Sequence, residues 1–244
     1  MKIPFLFSLF VYMGVSAADI DSFEIKQKRF ERVSGAYLHC EKKVQANCKK
    51  LGVKEYAPIL LRVFKKEKIL QVWIQKKDSF IKYNEFKICA ASGSLGPKRK
   101  QGDNQVPEGF YHIAVFNPLS LYHLSLGINY PNASDNILSK AADKGGDIYI
   151  HGECASIGCM AMDSSIEEIY VLALKARSGV QEEIPVHIFP FKMTDKNYES
   201  EVKLKANQKY VSMWNNIRQG FLFFNRNKKL PKIEVDKKGN YIFR

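Results

Sequence analysis

Between Asp147 and Met162 the chain reads DIYIHGECASIGCMAM, which sets His151, Cys154 and Cys159 close together with Gly152 and Gly158 beside them. An imidazole and two thiols at this spacing support three chemistries: a metal site, a disulfide, or a cysteine nucleophile with its base. A zinc site would draw on His151, Cys154 and Cys159, with His112, His123 or His187 as fourth ligand. Structural zinc sites pair their ligands closely, and the chain contains no C-x-x-C or H-x-x-H pair, so no metal is expected. A nucleophile needs a thiolate, which a neighbouring imidazole or converging backbone N–H groups favour. The turn S-I-G-C before Met160 can supply those N–H groups, because Gly158 permits a tight backbone. His151, following the strand-like run Ile148–Ile150, would be held rigidly near it. No organic cofactor is implied.

Several elements must position these residues. Apolar residues at Ile25, Phe30, Val33, Tyr37, Cys40, Val44, Cys48 and Leu51 predict a helix over 24–51 that stops at Gly52. Gly35 is the point at which it would split in two. On one unbroken helix Cys40 and Cys48 would stand about 12 Å apart in rise, too far for a bridge, so both are expected to face the core. The runs PILLRVF, ILQVWIQ and FIKYNEFKICAAS predict strands, the first two joined by a hairpin at KKEK. Residues 93–109, rich in glycine and proline, predict a long ordered loop of the kind that is often functional. Strands resume at 110–116, 122–128 and 147–150. A helix capped by Ser164 or Ser165 runs to about Arg177, followed by the strand IPVHIFPF. A C-terminal helix over 207–225, with Tyr210, Met213, Trp214, Ile217, Phe221 and Phe224 on one side, precedes a last strand.

The N-terminus has the form of a secretory leader: Lys2, the apolar run IPFLFSLFVYMGV, then SAAD for cleavage near Ala17 or Ala18. No later segment is long and apolar enough to span a membrane, so an exported, soluble mature chain is expected. The formal charge of +13, from 38 Lys and Arg against 25 Asp and Glu, suits an anionic wall polymer or membrane surface, or simply a solvated surface. Export argues against nucleic acid as a partner. The chain has 5 cysteines, an odd number, so at least one thiol stays unpaired.

The arrangement IHG followed by S-x-G-C resembles the YkuD-type L,D-transpeptidase catalytic domain, whose motif is a strand-borne histidine–glycine followed by [S/T]-H-G-C. The segments SGSLGPKRKQGDNQVPEGFY, NYPNASDN, IHGECASIGCMAM and HIFPFKMT extend the resemblance, in order from about Pro58 to Thr194, to the YafK-like subgroup. The resemblance implies a mixed α/β, β-rich fold: a sandwich-like catalytic domain with flanking helices and an N-terminal helical extension. The corresponding division is 1–18 leader, 19–52 helical segment, 56–192 catalytic domain, and 193–244 a C-terminal helix and strand packed on it.

By position, Cys159 matches the nucleophile and His151 the base, with the Gly152 carbonyl orienting the imidazole. N–H groups around Gly158 and Cys159 would form the oxyanion hole, and Ser156 would shape the turn. Three departures stand out: Ile157 replaces the motif's second histidine, Ala161 replaces an arginine, and the interval from His151 to Cys159 is short. The implied substrate is the peptidoglycan stem peptide at diaminopimelate, in a periplasmic setting. An amidase that frees a wall-linked outer-membrane lipoprotein is the preferred reading. An L,D-carboxypeptidase and a 3–3 crosslinking transpeptidase are the alternatives within enzymes, and a non-catalytic wall-binding protein is the alternative from another class.

Lys98, Arg99 and Lys100 are candidate partners for substrate carboxylates, and His112 and His123 are candidate groove-lining residues. Tyr122 and Tyr130 are expected to pack. A free Cys159 requires Cys154 to be engaged elsewhere, and Cys89, at the end of FKIC, is the candidate partner. Three separate thiols, or a Cys154–Cys159 bridge that occupies the nucleophile, are the other possibilities.

Overall fold

The computed structural model describes residues 17–156 and 158–244. The expected leader, 1–18, lies outside the described residues except for Ala17 and Ala18. In chain order the elements are α1 (Ala17–Lys28), α2 (Glu31–Leu51), β1 (Ile59–Phe64), β2 (Ile69–Lys76), β3 (Ser79–Ala91), β4 (Gly109–Asn117), β5 (Ser125–Ile128) and α3 (Ala133–Leu138). There follow β6 (Tyr149–His151), β7 (Met160–Met162), α4 (Ser165–Ser178), β8 (Pro185–Phe189), α5 (Asp195–Val202), a 3-10 turn (Lys205–Tyr210), α6 (Val211–Asn227), β9 (Ile233–Val235) and β10 (Tyr241–Phe243). Among the described residues no helix is long and apolar enough to cross a membrane.

The mixed α/β, strand-rich character stands, but the expected sandwich does not. The sheet closes as a barrel in the order β1-β2-β3-β7-β6-β5-β4-β8. Closure depends on β8, which pairs in parallel with β1 (Leu61 with Val186 through Phe64 with Phe189) and antiparallel with β4 (Gly109 with Ile188). A strand bonded on both sides leaves no edge, which is the physical gain of closing the sheet. Parallel pairing between segments so far apart in sequence leaves no mark in local periodicity.

All six residues of β1 are buried because its two faces meet different cores. Ile59, Leu61 and Val63 point into the cluster that fills the barrel, whereas Phe64 joins a second cluster with Phe110, Phe189, Phe191, Trp214, Ile217 and Phe221. Those last three come from α6, whose apolar stripe therefore covers the outside of the barrel. Arg62 shares that outer face, its guanidinium held by Asn225 Oδ1 at 2.9 Å and surrounded by the rings of Phe64, Phe189, Phe221 and Phe224.

Two boundaries differ from expectation. The N-terminal helical stretch breaks at Arg29–Phe30, where Phe30 adopts an extended conformation (φ −82°, ψ 128°), and not at Gly35. Gly35 lies inside α2 on an open side, with nothing within 4 Å of where a Cβ would stand, so its only cost is helix propensity. Cys40 and Cys48 ride this one helix as free thiols; Cys48 is buried and Cys40 half-buried. At the start of α4, Ser164 occupies the cap position but makes no side-chain cap bond. Asp163 Oδ1 instead accepts from Ser165 N at 2.9 Å.

The loop from Ser92 to Glu108 is ordered by its own polar groups. Asp103 accepts from the backbone N–H of Arg99, Lys100 and Gln105 and from Lys98 Nζ. At its far end the fully buried Glu108 accepts from Lys65 Nζ (2.9 Å), Gly96 N (2.7 Å) and Trp214 Nε1 (2.8 Å), joining β1, the loop and α6. A buried carboxylate satisfied this completely is the only kind that burial tolerates.

Candidate active site

His151 ends β6 and Cys159 immediately precedes β7, its parallel neighbour. The ladder pairs Ile150 with Met160 and His151 with Ala161. Cys159 therefore sits two residues before His151's partner, on the same side of the sheet, since side chains alternate along a strand. Neighbouring parallel strands are thus the device that brings the imidazole and the thiol to one edge of the barrel.

The imidazole is buried, and its Nδ1 stands 2.6 Å from the Gly152 carbonyl oxygen. A carbonyl can only accept, so Nδ1 carries the proton and the neutral ring leaves Nε2 as a base. Gly152 is required here: a Cβ would come within 2.9 Å of the Tyr122 carbonyl oxygen. The Tyr122 ring covers the imidazole, with centroids 4.7 Å apart. Tyr122 does pack, then, but against the candidate base. Its loop is braced from α2, where Arg32 donates to the carbonyls of Ser120 and His123, and from α4, where Glu167 bonds His123 Nε2 at 2.8 Å.

Gly158 has φ +101°, a conformation open to glycine, and the turn it makes presents Cys159. Ser156 Oγ accepts from Cys159 N at 2.9 Å and donates to the Cys159 carbonyl at 2.6 Å, closing the turn from within. The shaping role expected of Ser156 corresponds to this contact. Ile157, at the position of the second motif histidine, lies outside the described residues. The thiol points at the Asp147 carbonyl, 3.5 Å away, and forms no hydrogen bond with His151.

Cys89 and Cys154 are joined by a disulfide, with Cα atoms 5.4 Å apart, inside the range that bridging needs. Cys154 is thereby removed from any metal set, and Cys159 remains a free thiol. The fourth-ligand candidate His187 lies fully buried beside Arg62, and its burial and that cation push its pKa down to about 3.

The other anticipated residues are not gathered at the thiol. Lys98 is buried, its ammonium bonded to Asp103 Oδ1 (2.8 Å) and to the Lys100 carbonyl (2.9 Å), so no free ammonium faces a substrate. Arg99 turns toward Asp135 at 2.8 Å. The short polar loop suggested solvated cations; the buried Asp103 and Asp135 draw them inward instead. His112 lines a cavity with Phe23, Gln27, Arg177 and Glu183, none of them part of the nucleophile turn. His123 is engaged by Glu167.

Contrary to the expectation of a ready thiolate, the Cys159 thiol is pushed up from its ordinary value. Burial is the largest cause; the Asp147 carboxylate adds to it, while the Tyr149 backbone and the Lys98 charge oppose it. The resting group is a thiol, and proton removal falls to the imidazole. Alkylation of Cys159 by iodoacetamide should accordingly be slow near neutrality and accelerate as pH rises past the ordinary thiol value of 9.0. Peptide mass mapping of the modified cysteine reads this directly; a fast, flat rate from acid to neutral pH would mean a preformed thiolate–imidazolium pair.

Residues 59–188 match the family described as YkuD, L,D-transpeptidase catalytic domain. The chain belongs to that family. It is 34% identical over 182 residues to YafK of Escherichia coli K12, a candidate L,D-transpeptidase, covering 73% of this chain and 71% of that one; the O157:H7 protein matches equally. Among solved structures it is similar to the helical cell shape determining protein Pgp2 of Campylobacter jejuni (20% identity, TM-score 0.44, 79% of this chain and 80% of that one). It is also similar to Bd1075 of Bdellovibrio bacteriovorus (21% identity, TM-score 0.40, 68% and 58%). Within the YkuD family frame, Ala161 is a buried β7 residue paired with His151 and Ala90, so no cation stands where the family motif has arginine. The YkuD motif alone did not point to Ser92, whose hydroxyl accepts from Gly158 N. A serine just past a strand end has no sequence signature.

Proposed function

We propose that this YkuD-family chain is an exported cysteine enzyme that acts on peptidoglycan stem peptides at a diaminopimelate carbonyl. The observation that carries the reading is the Nδ1–Gly152 carbonyl contact, which leaves Nε2 of His151 basic on the strand beside Cys159. The thiol rotates from the Asp147 carbonyl toward the imidazole. Nε2 takes its proton as Sγ attacks the carbonyl carbon, and N–H groups at Gly158 and Cys159 meet the oxygen that becomes negative. Imidazolium returns the proton to the departing amine, leaving a thioester. Water then attacks the thioester carbonyl, with His151 accepting its proton, and free thiol and carboxylate result.

Hydrolysis that frees a wall-linked lipoprotein is preferred over transfer. Ala161 supplies no charge to hold the carboxylate of an incoming peptide, and the only cation acting on the thiol, Lys98, is tied to Asp103. The leader-like N-terminus and the disulfide both suit an oxidising envelope compartment.

Incubation of the enzyme with purified sacculi, with products identified by mass, tests the reading. Release of protein with an intact C-terminus and an unmodified muropeptide is the expected result. Loss of a terminal D-alanine would make it a carboxypeptidase, and new 3–3 dimers a transpeptidase. Binding to sacculi with no mass change in any product would replace the enzyme with a wall-binding protein.

A further inference from the structure

The nucleophile turn is held from outside by a residue that the family motif does not contain. Ser92 follows β3, whose last residues Ala90 and Ala91 pair with Ala161 and Met160 of β7. Continuing that ladder by one step places Ser92 level with the turn. Its hydroxyl accepts from Gly158 N and donates to the Asn104 carbonyl at 2.8 Å. One side chain thus fastens three segments: the end of β3, the loop after it, and the turn that presents Cys159. Gly158 lies directly against the same loop, where a Cβ would stand 3.6 Å from the Gln105 carbonyl oxygen.

The remaining contacts single out this residue. Ser156, the other hydroxyl on the turn, belongs to the turn itself and cannot fix where the turn sits relative to His151. Among the described residues Ser92 is the one side chain from outside the turn that bonds its backbone. The Cys89–Cys154 disulfide joins the strand leading to Ser92 to the segment leading into the turn, so the hydroxyl and its target are tied at their bases. Gly158, with φ +101°, has no side chain of its own to hold this conformation.

We propose that Ser92 is a positioning residue for the reaction, acting through the Gly158 N–H to hold Cys159 and the adjacent oxyanion donors in register with His151. The inference rests on the functional reading above. Binding of the substrate's distant parts does not involve Ser92, so its loss should appear in the chemical step. Ser92→Ala is expected to lower kcat by about ten- to a hundredfold, the scale of a misplaced reacting group, with KM nearly unchanged. Ser92→Thr, which keeps the hydroxyl, should restore most of the rate.

A second measurement needs no substrate. In hydrogen-exchange mass spectrometry of the full chain, peptides covering the turn should exchange at least about tenfold faster in Ser92→Ala than in the parent, as expected for an amide that has lost its partner. Faster exchange with no wall activity in the parent would uphold the positioning role and defeat the proposed reaction. Unchanged exchange would overturn the positioning role. So would a raised kcat, which would show that the hydroxyl competes with the substrate oxygen for the Gly158 amide.

Discussion

Cys159→Ala abolishes turnover on sacculi while leaving melting temperature and circular dichroism close to those of the parent. The reason lies in what the sulfur does and does not touch. It is free of the disulfide, half-buried, and its one polar contact is a long bond to the Asp147 carbonyl. The turn that presents it is closed by the Ser156 hydroxyl and by Ser92, neither of which needs the sulfur. Packing therefore loses one atom at a partly open position, whereas chemistry loses the attacking atom. Cys159→Ser should be nearly as inactive, because the hydroxyl is far less acidic than a thiol and the same imidazole must activate it. Turnover by Cys159→Ala within tenfold of the parent would end the cysteine mechanism.

His151→Ala should lower the rate of thioester formation by about 10²–10⁴, the usual range for a positioned general base. The loss belongs at the upper end here, because burial holds the Cys159 thiol above its ordinary value and no preformed thiolate can substitute. The acid limb of the pH–rate profile should vanish with the imidazole if that limb reports its deprotonation. His151→Ala also uncovers the Tyr122 ring and frees the Gly152 carbonyl, so its stability should be recorded beside its kinetics. A persisting acid limb would move the base elsewhere, and His123, bound to Glu167 in the next loop, is the imidazole to test next.

The parts of the site that were legible in the sequence are those written locally. His151, Gly152, Ser156, Gly158 and Cys159 fall within one short stretch, and the strand and turn chemistry around them reads directly from residue types. The Cys89–Cys154 bridge was one of several possibilities, and only the neighbouring of β3 and β7 selects it. Barrel closure was not legible, since β8 meets β1 through a parallel pairing that no hydrophobic period encodes. Helix propensity pointed to Gly35 as the break, but nothing crowds Gly35, and the chain turns at Phe30, which packs on the core. Lys98 and Arg99 looked like solvated cations because the carboxylates that claim them, Asp103 and Asp135, are assigned by folding and not by spacing. Ser92 was silent for the same reason.

The union of α6 with the barrel bears on where the polypeptide can be divided. The family match ends at residue 188, yet Glu108 inside it relies on the Trp214 indole, and Phe110 and Phe189 pack against α6 and the closing hairpin. A fragment trimmed to the family's borders would carry a bare aromatic wall and a carboxylate short of one donor at the root of the loop beside the nucleophile. For this chain the recurrent homology unit and the folding unit do not coincide, and any minimal version of the enzyme must reach past Trp214 to the last strand.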